Sequence, residues 1–269
     1  MKKLIIFTDL DETLLERHTY TFEKARPALN LLREKDIPLV IVSSKTAAEI
    51  EHYRHKLDNH HPFIAENGGG IFVPVEYFRE YPGHKPVINN GYEIITLGTP
   101  YAKLRQAFAE IQSEGFNAKG FGDMSIGGIS ALTGLSPEEA ALSVKRYFDE
   151  PFICDGCDLD ALRNSITSRG LNLTEGRLFH LIGDNDKGKA VEVLKELYRA
   201  NLGEIATAAL GDSPTDIPML RSVEHPIAVQ KDDGSYDERL EMPGLIKADG
   251  IGPAGWNSAV VALVNSLAA

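Results

Sequence analysis

The first apolar run, Leu4-Ile5-Ile6-Phe7, shows no polar alternation and is followed by Thr8 and Asp9, the pattern of a strand buried on both faces. Pro38 to Ser44 reads the same way, and a helical stretch around Arg26 to Lys35 lies between the two. The opening therefore predicts a β-α-β unit with parallel strands and a right-handed crossover. Asp9 and Ser43 leave such a sheet at one edge, where open α/β sheets bind ligands. Ile205 to Leu210, followed by Gly211-Asp212, and Ile227 to Val229 resume the same sheet late in the chain. The helix before Ile205 shows its period plainly, with Ala190, Val193, Leu194, Leu197 and Tyr198 on one face. A short helical segment after Gly255-Trp256 closes the chain.

The rhythm changes in the middle. Glu93 to Gly98 reads as a strand, and Thr99-Pro100 opens a helix with Leu104, Ala107, Phe108 and Ile111 on one side. A glycine-rich stretch then ends at Ser136-Pro137-Glu138-Glu139, a capping box. Strand candidates follow at Phe152 to Cys154, Leu171 to Leu173 and Leu178 to Ile182. The expected organisation is an α/β core of residues 1–84 and 184–269 carrying an inserted α+β domain of residues 85–183.

Composition narrows the function classes. The 269 residues are 43% hydrophobic and 25% charged, which fits a globular chain of one large domain or two unequal ones. A net charge of −11 repels phosphate polyanions on average, so nucleic-acid binding is not expected and an anionic substrate needs local cations or a metal. The acids after Phe7 exclude a signal-peptide core or membrane span there. Two cysteines, Cys154 and Cys157, make no disulfide scaffold, and a cytoplasmic location is the default expectation. Their spacing matches redox motifs, but no thioredoxin-like context surrounds them, and chance proximity is the preferred reading. His52, His55, His60 and His61 lack the partners of a zinc site and read as a solvated face.

Chemistry concentrates at the strand exits. Asp9 and Asp11 stand two residues apart in Asp9-Leu10-Asp11-Glu12-Thr13, so a divalent metal or a shared proton must relieve their repulsion, unless they only shape a turn. Magnesium suits hard oxygen ligands. One carboxylate could then attack a metal-bound phosphate while the other protonates the leaving oxygen. Asp212 reaches the same edge, and Asp216 belongs to a helix start with Ser213 and Pro214 that capping alone could explain. Ser43-Ser44-Lys45 offers hydroxyls and amides to phosphate, although Thr46 and Glu49 also form a capping box there. Lys187 precedes the body of its helix and is the candidate to neutralise a transferred phosphoryl group, with Lys189 left to solvent.

The ordered set of aspartate pair, serine strand end, lysine and Gly-Asp resembles the haloacid dehalogenase superfamily. The resemblance implies a Rossmann-like parallel-sheet core with an inserted cap, and a Mg2+-dependent phosphatase. By the same resemblance Asp9 is the nucleophile, Asp11 the general acid/base, Ser43 the phosphate hydroxyl and Lys187 the motif lysine. Magnesium is then held by Asp9, the Asp11 main-chain carbonyl and Asp212, with Asp216 supporting. Where many relatives with a late cap carry Thr-Gly-Arg, this chain has Ser43-Ser44-Lys45, and it has Thr215 where they have Asn. That departure, with Ala65-Glu66-Asn67-Gly68, Thr133-Gly134-Leu135, Asp149-Glu150-Pro151-Phe152, Gly176-Arg177, Phe179-His180 and Gly252-Pro253, resembles the mannosyl-3-phosphoglycerate phosphatase branch.

The branch implies a small phosphorylated glycosyl-glycerate as substrate, with mannosylglycerate, a compatible solute, and phosphate as products. Ser44, Lys45, Asn67, Arg177 and His180 are the candidate substrate contacts. The glycerate carboxylate needs a cation of its own, and Arg177 is preferred over His180, because a regular strand lets only one of them face the substrate. A structural ion pair is the alternative for Arg177. Glucosyl-3-phosphoglycerate, a general sugar phosphate, or phosphomutase chemistry, which would release no free phosphate, are the competing activities. A non-catalytic sugar-phosphate binding module would not need a nucleophile, an acid/base and a lysine in one ring. The sequence leaves the oligomeric state open.

Overall fold

A computed structural model describes residues 2–268. Strand β1 (Lys3–Thr8) is buried from Leu4 onward, as its unbroken apolar run requires. Helix α1 (Arg26–Glu34), with Pro27 in its first turn, crosses to β2 (Leu39–Val42), and α2 (Ala47–Leu57) starts on the expected capping box of Thr46 and Glu49. Then come β3 (Phe63–Ala65), β4 (Gly70–Pro74), β5 (Val87–Asn89) and β6 (Tyr92–Thr96).

The chain leaves this sheet through α3 (Tyr101–Ser113), β7 (Ala118–Gly120), α4 (Ile126–Thr133) and α5 (Pro137–Ser143). It continues through β8 (Asp149–Cys154), α6 (Leu159–Thr167), β9 (Asn172–Glu175) and β10 (Phe179–Ile182). It returns through α7 (Lys187–Leu202), β11 (Ile205–Gly211), α8 (Ile217–Arg221), β12 (His225–Gln230), β13 (Ile246–Ile251) and α9 (Pro253–Ala268).

The large sheet runs β13-β12-β11-β1-β2-β3-β4-β6-β5. From β13 to β3 the pairs are parallel, and β4, β6 and β5 add antiparallel neighbours. Strands β7-β8-β10-β9 form a separate antiparallel sheet. The expected boundary at residue 85 therefore needs correction. Strands β5 and β6 pair with β4 in the core sheet, so the chain departs for the cap only after Thr96. Periodicity identifies a strand there but not the sheet it joins. The chain returns to the core after Ile182 through α7.

Apolar packing separates the layers. One cluster with Leu4, Ile6, Phe63 and Trp256 covers one face of the large sheet, and another with Ile5, Phe7, Leu194 and Tyr198 covers the other. The alternation of Ile5 and Ile6 between clusters is the period-two consequence of a strand buried on both sides. The cap has its own core around Phe108, Phe152 and Leu162. The closing helix begins earlier than expected, at Pro253, and buries Trp256, whose indole N–H donates to Thr8 Oγ1 at 3.0 Å.

Among the described residues no helix is long and apolar enough to cross a membrane. Cys154 and Cys157 are not merely close, since they are disulfide-bonded to each other across an exposed turn. Among the described residues the four histidines form no metal cluster. His61 leaves the solvated face, because its ring packs inward to meet the Tyr77 hydroxyl at 2.8 Å.

Candidate active site

The parallel pairing of β1 with β11 brings Thr8 opposite Leu210, and the Asp9 N–H donates to Leu210 C=O at 3.0 Å. The next residues of both strands therefore emerge side by side. Asp9, Asp212 and Asp216 offer carboxylate oxygens within 4.8 Å of one another, although 203 residues separate the first two in sequence. Gly211 makes the close approach possible, since a Cβ there would stand 2.5 Å from the Asp216 side chain.

Lys187, on the first turn of α7, supplies the positive charge in this ring. Its Nζ donates to Asp9 Oδ1 and Asp216 Oδ1, each at 2.6 Å. Burial opposes the ammonium, but Asp216 and Asp9 outweigh it and hold the lysine above its ordinary pKa. Burial pushes the Asp9 carboxyl up to about 7, Lys187 lowers it, and Asp216 and Asp11 add to the rise. Burial also raises Asp212 well above its ordinary value, followed by repulsion from Asp216 and Asp9. Thr13, absent from the expected set, donates to Asp212 Oδ1 at 2.7 Å. Three buried carboxylates around one ammonium leave excess negative charge, and their donor atoms are the hard oxygens that magnesium prefers.

Asp216 differs from the other two. Its Oδ2 accepts from the Asp212 N–H, the Ser213 N–H and the Ser213 hydroxyl, each at 3.1 Å. With Lys187 on Oδ1, its acceptor capacity is largely taken.

Asp11 stands apart from the ring at the mouth of a cavity and meets Lys45 Nζ at 3.0 Å. Burial disfavours the Lys45 charge, while Asp11 and Glu49 raise its pKa beyond the usual lysine value. The cavity lies between core and cap. It is lined by Asp9, Asp11, Asp212 and Lys187 from below, Ser44 and Lys45 at the side, and Arg146, Arg177 and His180 from the cap.

Of the expected site residues, Ser43 and Asn67 do not line this cavity. Ser43 is 1% exposed and does not line the cavity, because its Oγ accepts the Lys45 N–H at 3.2 Å inside the turn. Asn67 also stands back from this cavity. It has a left-handed backbone (φ 53°) beside Glu66 (φ 52°), and its Nδ2 donates to Asp149 Oδ2 at 2.8 Å. It thus ties the core to the cap.

Arg177 and His180 both reach the cavity, contrary to the expectation that a strand would divide them. Strand β10 begins at Phe179, so Arg177 sits in the turn after β9, where strand alternation does not apply. His180 Nδ1 meets Asp149 at 2.9 Å. Arg146, which the sequence did not single out, donates to Ser44 C=O at 2.9 Å and approaches Asp149 at 3.7 Å and Glu49 at 3.9 Å. Only the spacing Arg146-x-x-Asp149 hinted at it. Among the described residues, Arg177 is the one arginine or lysine of this cavity that forms no salt bridge, since Arg17, Lys45, Arg146 and Lys187 are all paired.

Comparison with known proteins agrees with this geometry. The profile described as haloacid dehalogenase-like hydrolase matches residues 6–90 and 161–236, two segments that flank most of the cap. A relative from Methanococcoides burtonii named glucosyl-3-phosphoglycerate/mannosyl-3-phosphoglycerate phosphatase is 46% identical over 97% of each chain. The chain belongs to the haloacid dehalogenase-like hydrolases. A protein of the same name from Persephonella marina is 41% identical over 98% of each chain. A mannosyl-3-phosphoglycerate phosphatase from Pyrococcus furiosus is 35% identical over 82% of this chain and 88% of its own.

Solved structures support the fold at low identity. A Thermoplasma acidophilum protein superposes with a TM-score of 0.71 at 17% identity, over 98% of this chain and 99% of its own. A superfamily phosphatase from Bacteroides thetaiotaomicron gives 0.66 at 18%, over 97% and 94%. This haloacid dehalogenase-like hydrolase thus has the α/β core and cap that its motifs implied.

Proposed function

We propose that this hydrolase is a Mg2+-dependent phosphatase that converts mannosyl-3-phosphoglycerate, and its glucosyl counterpart, to the glycosylglycerate and phosphate. One observation carries the reading: the cavity has surplus negative charge at its core end and an unpaired guanidinium, Arg177, at its cap end. A substrate with a phosphate and a separate carboxylate matches that distribution once a divalent cation joins the carboxylate ring. The printed names of the Methanococcoides and Persephonella relatives include both sugars, which supports including both here.

The donor set fits magnesium, with Asp9, Asp212 and the Asp11 main-chain carbonyl as direct ligands and Asp216 as support. Bound there, Mg2+ would offset the surplus charge and polarise a phosphate oxygen. Lys187 engages Asp9 Oδ1, so attack on phosphorus falls to Oδ2. The bond from phosphorus to the glycerate oxygen breaks as Asp11 gives that oxygen a proton, leaving an aspartyl-phosphate on Asp9. Asp11 then takes a proton from a water molecule whose oxygen attacks phosphorus, and phosphate departs with Asp9 restored. Ser43, whose hydroxyl proton is free of the Lys45 contact, is the proposed donor to a phosphate oxygen from beneath. Ser44 and Lys45 line the same side. His180 and Asn67 hold Asp149 and so shape the cap wall.

The cap is the proposed specificity element, and the cytoplasm the proposed location. Phosphate release with Mg2+ should be measured on both glycosyl-3-phosphoglycerates and on simple hexose phosphates. Preference for the glycerate esters supports the reading. Equal rates on all would make it a general sugar phosphatase, and turnover without free phosphate would indicate a mutase.

A further inference from the structure

Strand β10 is flanked by β8 and β9, with His180 opposite Pro151 on one side and Thr174 on the other. Its neighbours Phe179 and Leu181 pack into the core of the cap, so strand alternation turns His180 to the opposite face, toward the cavity. The residue is 7% exposed, and its two ring nitrogens have different surroundings. Nδ1 meets both oxygens of the buried Asp149, at 3.0 and 2.9 Å. Nε2 has no partner among the described residues and is not sealed from solvent, which leaves it open to the cavity that His180 lines. Asp149 is held in turn from the core. Asn67 Nδ2 donates to it at 2.8 Å, and the Asn67 N–H donates to Ser43 C=O at 3.1 Å, so a relay of hydrogen bonds runs from the turn after β2 to the imidazole.

A carboxylate only accepts, so the proton of this pair sits on Nδ1, and the neutral ring then presents a lone pair at Nε2. Other polar side chains on the cap wall are engaged or of the wrong kind. The hydroxyls of Thr133 and Ser143 give their protons to Ile129 C=O at 2.7 Å and Ala140 C=O at 2.9 Å, Arg146 is paired with Asp149, and Arg177 can only donate. The two anions of the substrate proposed above find cations in this cavity, whereas the hydroxyls of its sugar are donors that need an acceptor. We propose that His180 is the specificity residue for the sugar, accepting a hydrogen bond from a glycosyl hydroxyl at Nε2 while Asp149 and Asn67 hold the ring in place. The proposal rests on the glycosyl ester argued above and adds which atom of the cap reads the sugar.

The test uses the full chain with Mg2+ at about pH 8, where an imidazole is ordinarily neutral. The ligands are mannosyl-3-phosphoglycerate and 3-phosphoglycerate, which carries the same two anions without the sugar and is followed as a competitor of the ester. His180→Asn keeps an amide N–H at the place of Nδ1 for Asp149 and removes Nε2. The expected result is a KM for the ester raised about fivefold, the size of one neutral hydrogen bond, with the inhibition constant of 3-phosphoglycerate changed less than about twofold. His180→Gln, whose side-chain carbonyl extends to the place of Nε2, should restore part of the KM. An unchanged KM for the ester would overturn the sugar role, and so would equal losses on both ligands, which would make His180 a partner of the anions or a prop of the cap. A wild-type protein that hydrolyses simple hexose phosphates as readily as the ester would instead overturn the substrate reading, before any His180 variant is made.

Discussion

Two groups of buried carboxylates, one in the ring and one at the junction of core and cap, meet burial differently. In the ring, Asp9, Asp212 and Asp216 share the ammonium of Lys187. At the junction of core and cap, Glu66 accepts the Tyr147 N–H at 3.0 Å and the Phe148 N–H at 2.7 Å. Asp149 beside it accepts from Asn67 and meets His180 and Arg146. Burial pushes both Asp9 and Glu66 up to about 7, so a raised pKa does not separate a reacting carboxylate from a structural one. The supply of donors does. The junction takes its donors from the chain itself, whereas the ring is left wanting a cation.

Breaking the ring should cost activity without costing the fold. Asp9→Asn removes the attacking oxygen, and phosphate release should fall by at least about 10^3-fold. The same change relieves repulsion with Asp216 and Asp11, so the thermal midpoint should hold or rise. A lowered midpoint would place Asp9 with the structural acids. Breaking the junction should do the reverse. Asp149→Asn leaves Arg146 and His180 facing a neutral amide, and unfolding in urea should show a loss of about 3 kcal/mol, the scale for a disrupted buried ion pair. An unchanged urea midpoint would show that this junction is not held by its charges.

Cation binding tests the same contrast. Mg2+ at a hundred times its Kd stabilises a protein by about 2.7 kcal/mol, a rise of roughly 5 °C in a chain of this size. The rise should vanish in Asp212→Asn and persist in Glu66→Gln. If Glu66→Gln abolished it, the cation would lie at the junction. Chelation should correspondingly remove turnover while leaving a folded protein.

The ring was legible in the sequence because buried parallel strands end where their apolar runs end. An acid immediately after Phe7-Thr8 or after Leu210-Gly211 has to emerge at the same sheet edge. The capping boxes at Thr46 and Ser136 were readable for a similar local reason. The junction was not. Arg146 meets Ser44 across 102 residues, and no periodicity records which cap turn settles on which core turn. Asn67 and Ser43 were recognised by motif, but their direction depends on a left-handed turn and a local N–H contact. Strand β6 was visible as a strand, while its place in the core sheet is fixed by pairing with β4, which sequence spacing leaves open.

The smallest effect separates the two groups by pH. A carboxyl whose folded pKa is raised contributes stability that is complete below its unfolded value and lost as pH rises through the folded value. For Glu66 the window runs from about 4.5 to about 7, and its share is on the order of 3 kcal/mol. Asp9 and Asp212 are also raised, so the metal-free protein should lose stability between pH 5 and pH 8 from both groups. Saturating Mg2+ holds the ring carboxylates ionised and should cancel their part of the slope. What remains belongs to the junction, and Glu66→Gln, which still offers an oxygen to the Tyr147 and Phe148 amides, should flatten it. Urea midpoints at the two pH values, with and without Mg2+, give both parts. A residual slope that survives Glu66→Gln would mean that the backbone N–H donors already keep this carboxylate ionised, and the contrast between the two groups would then rest on the cation alone.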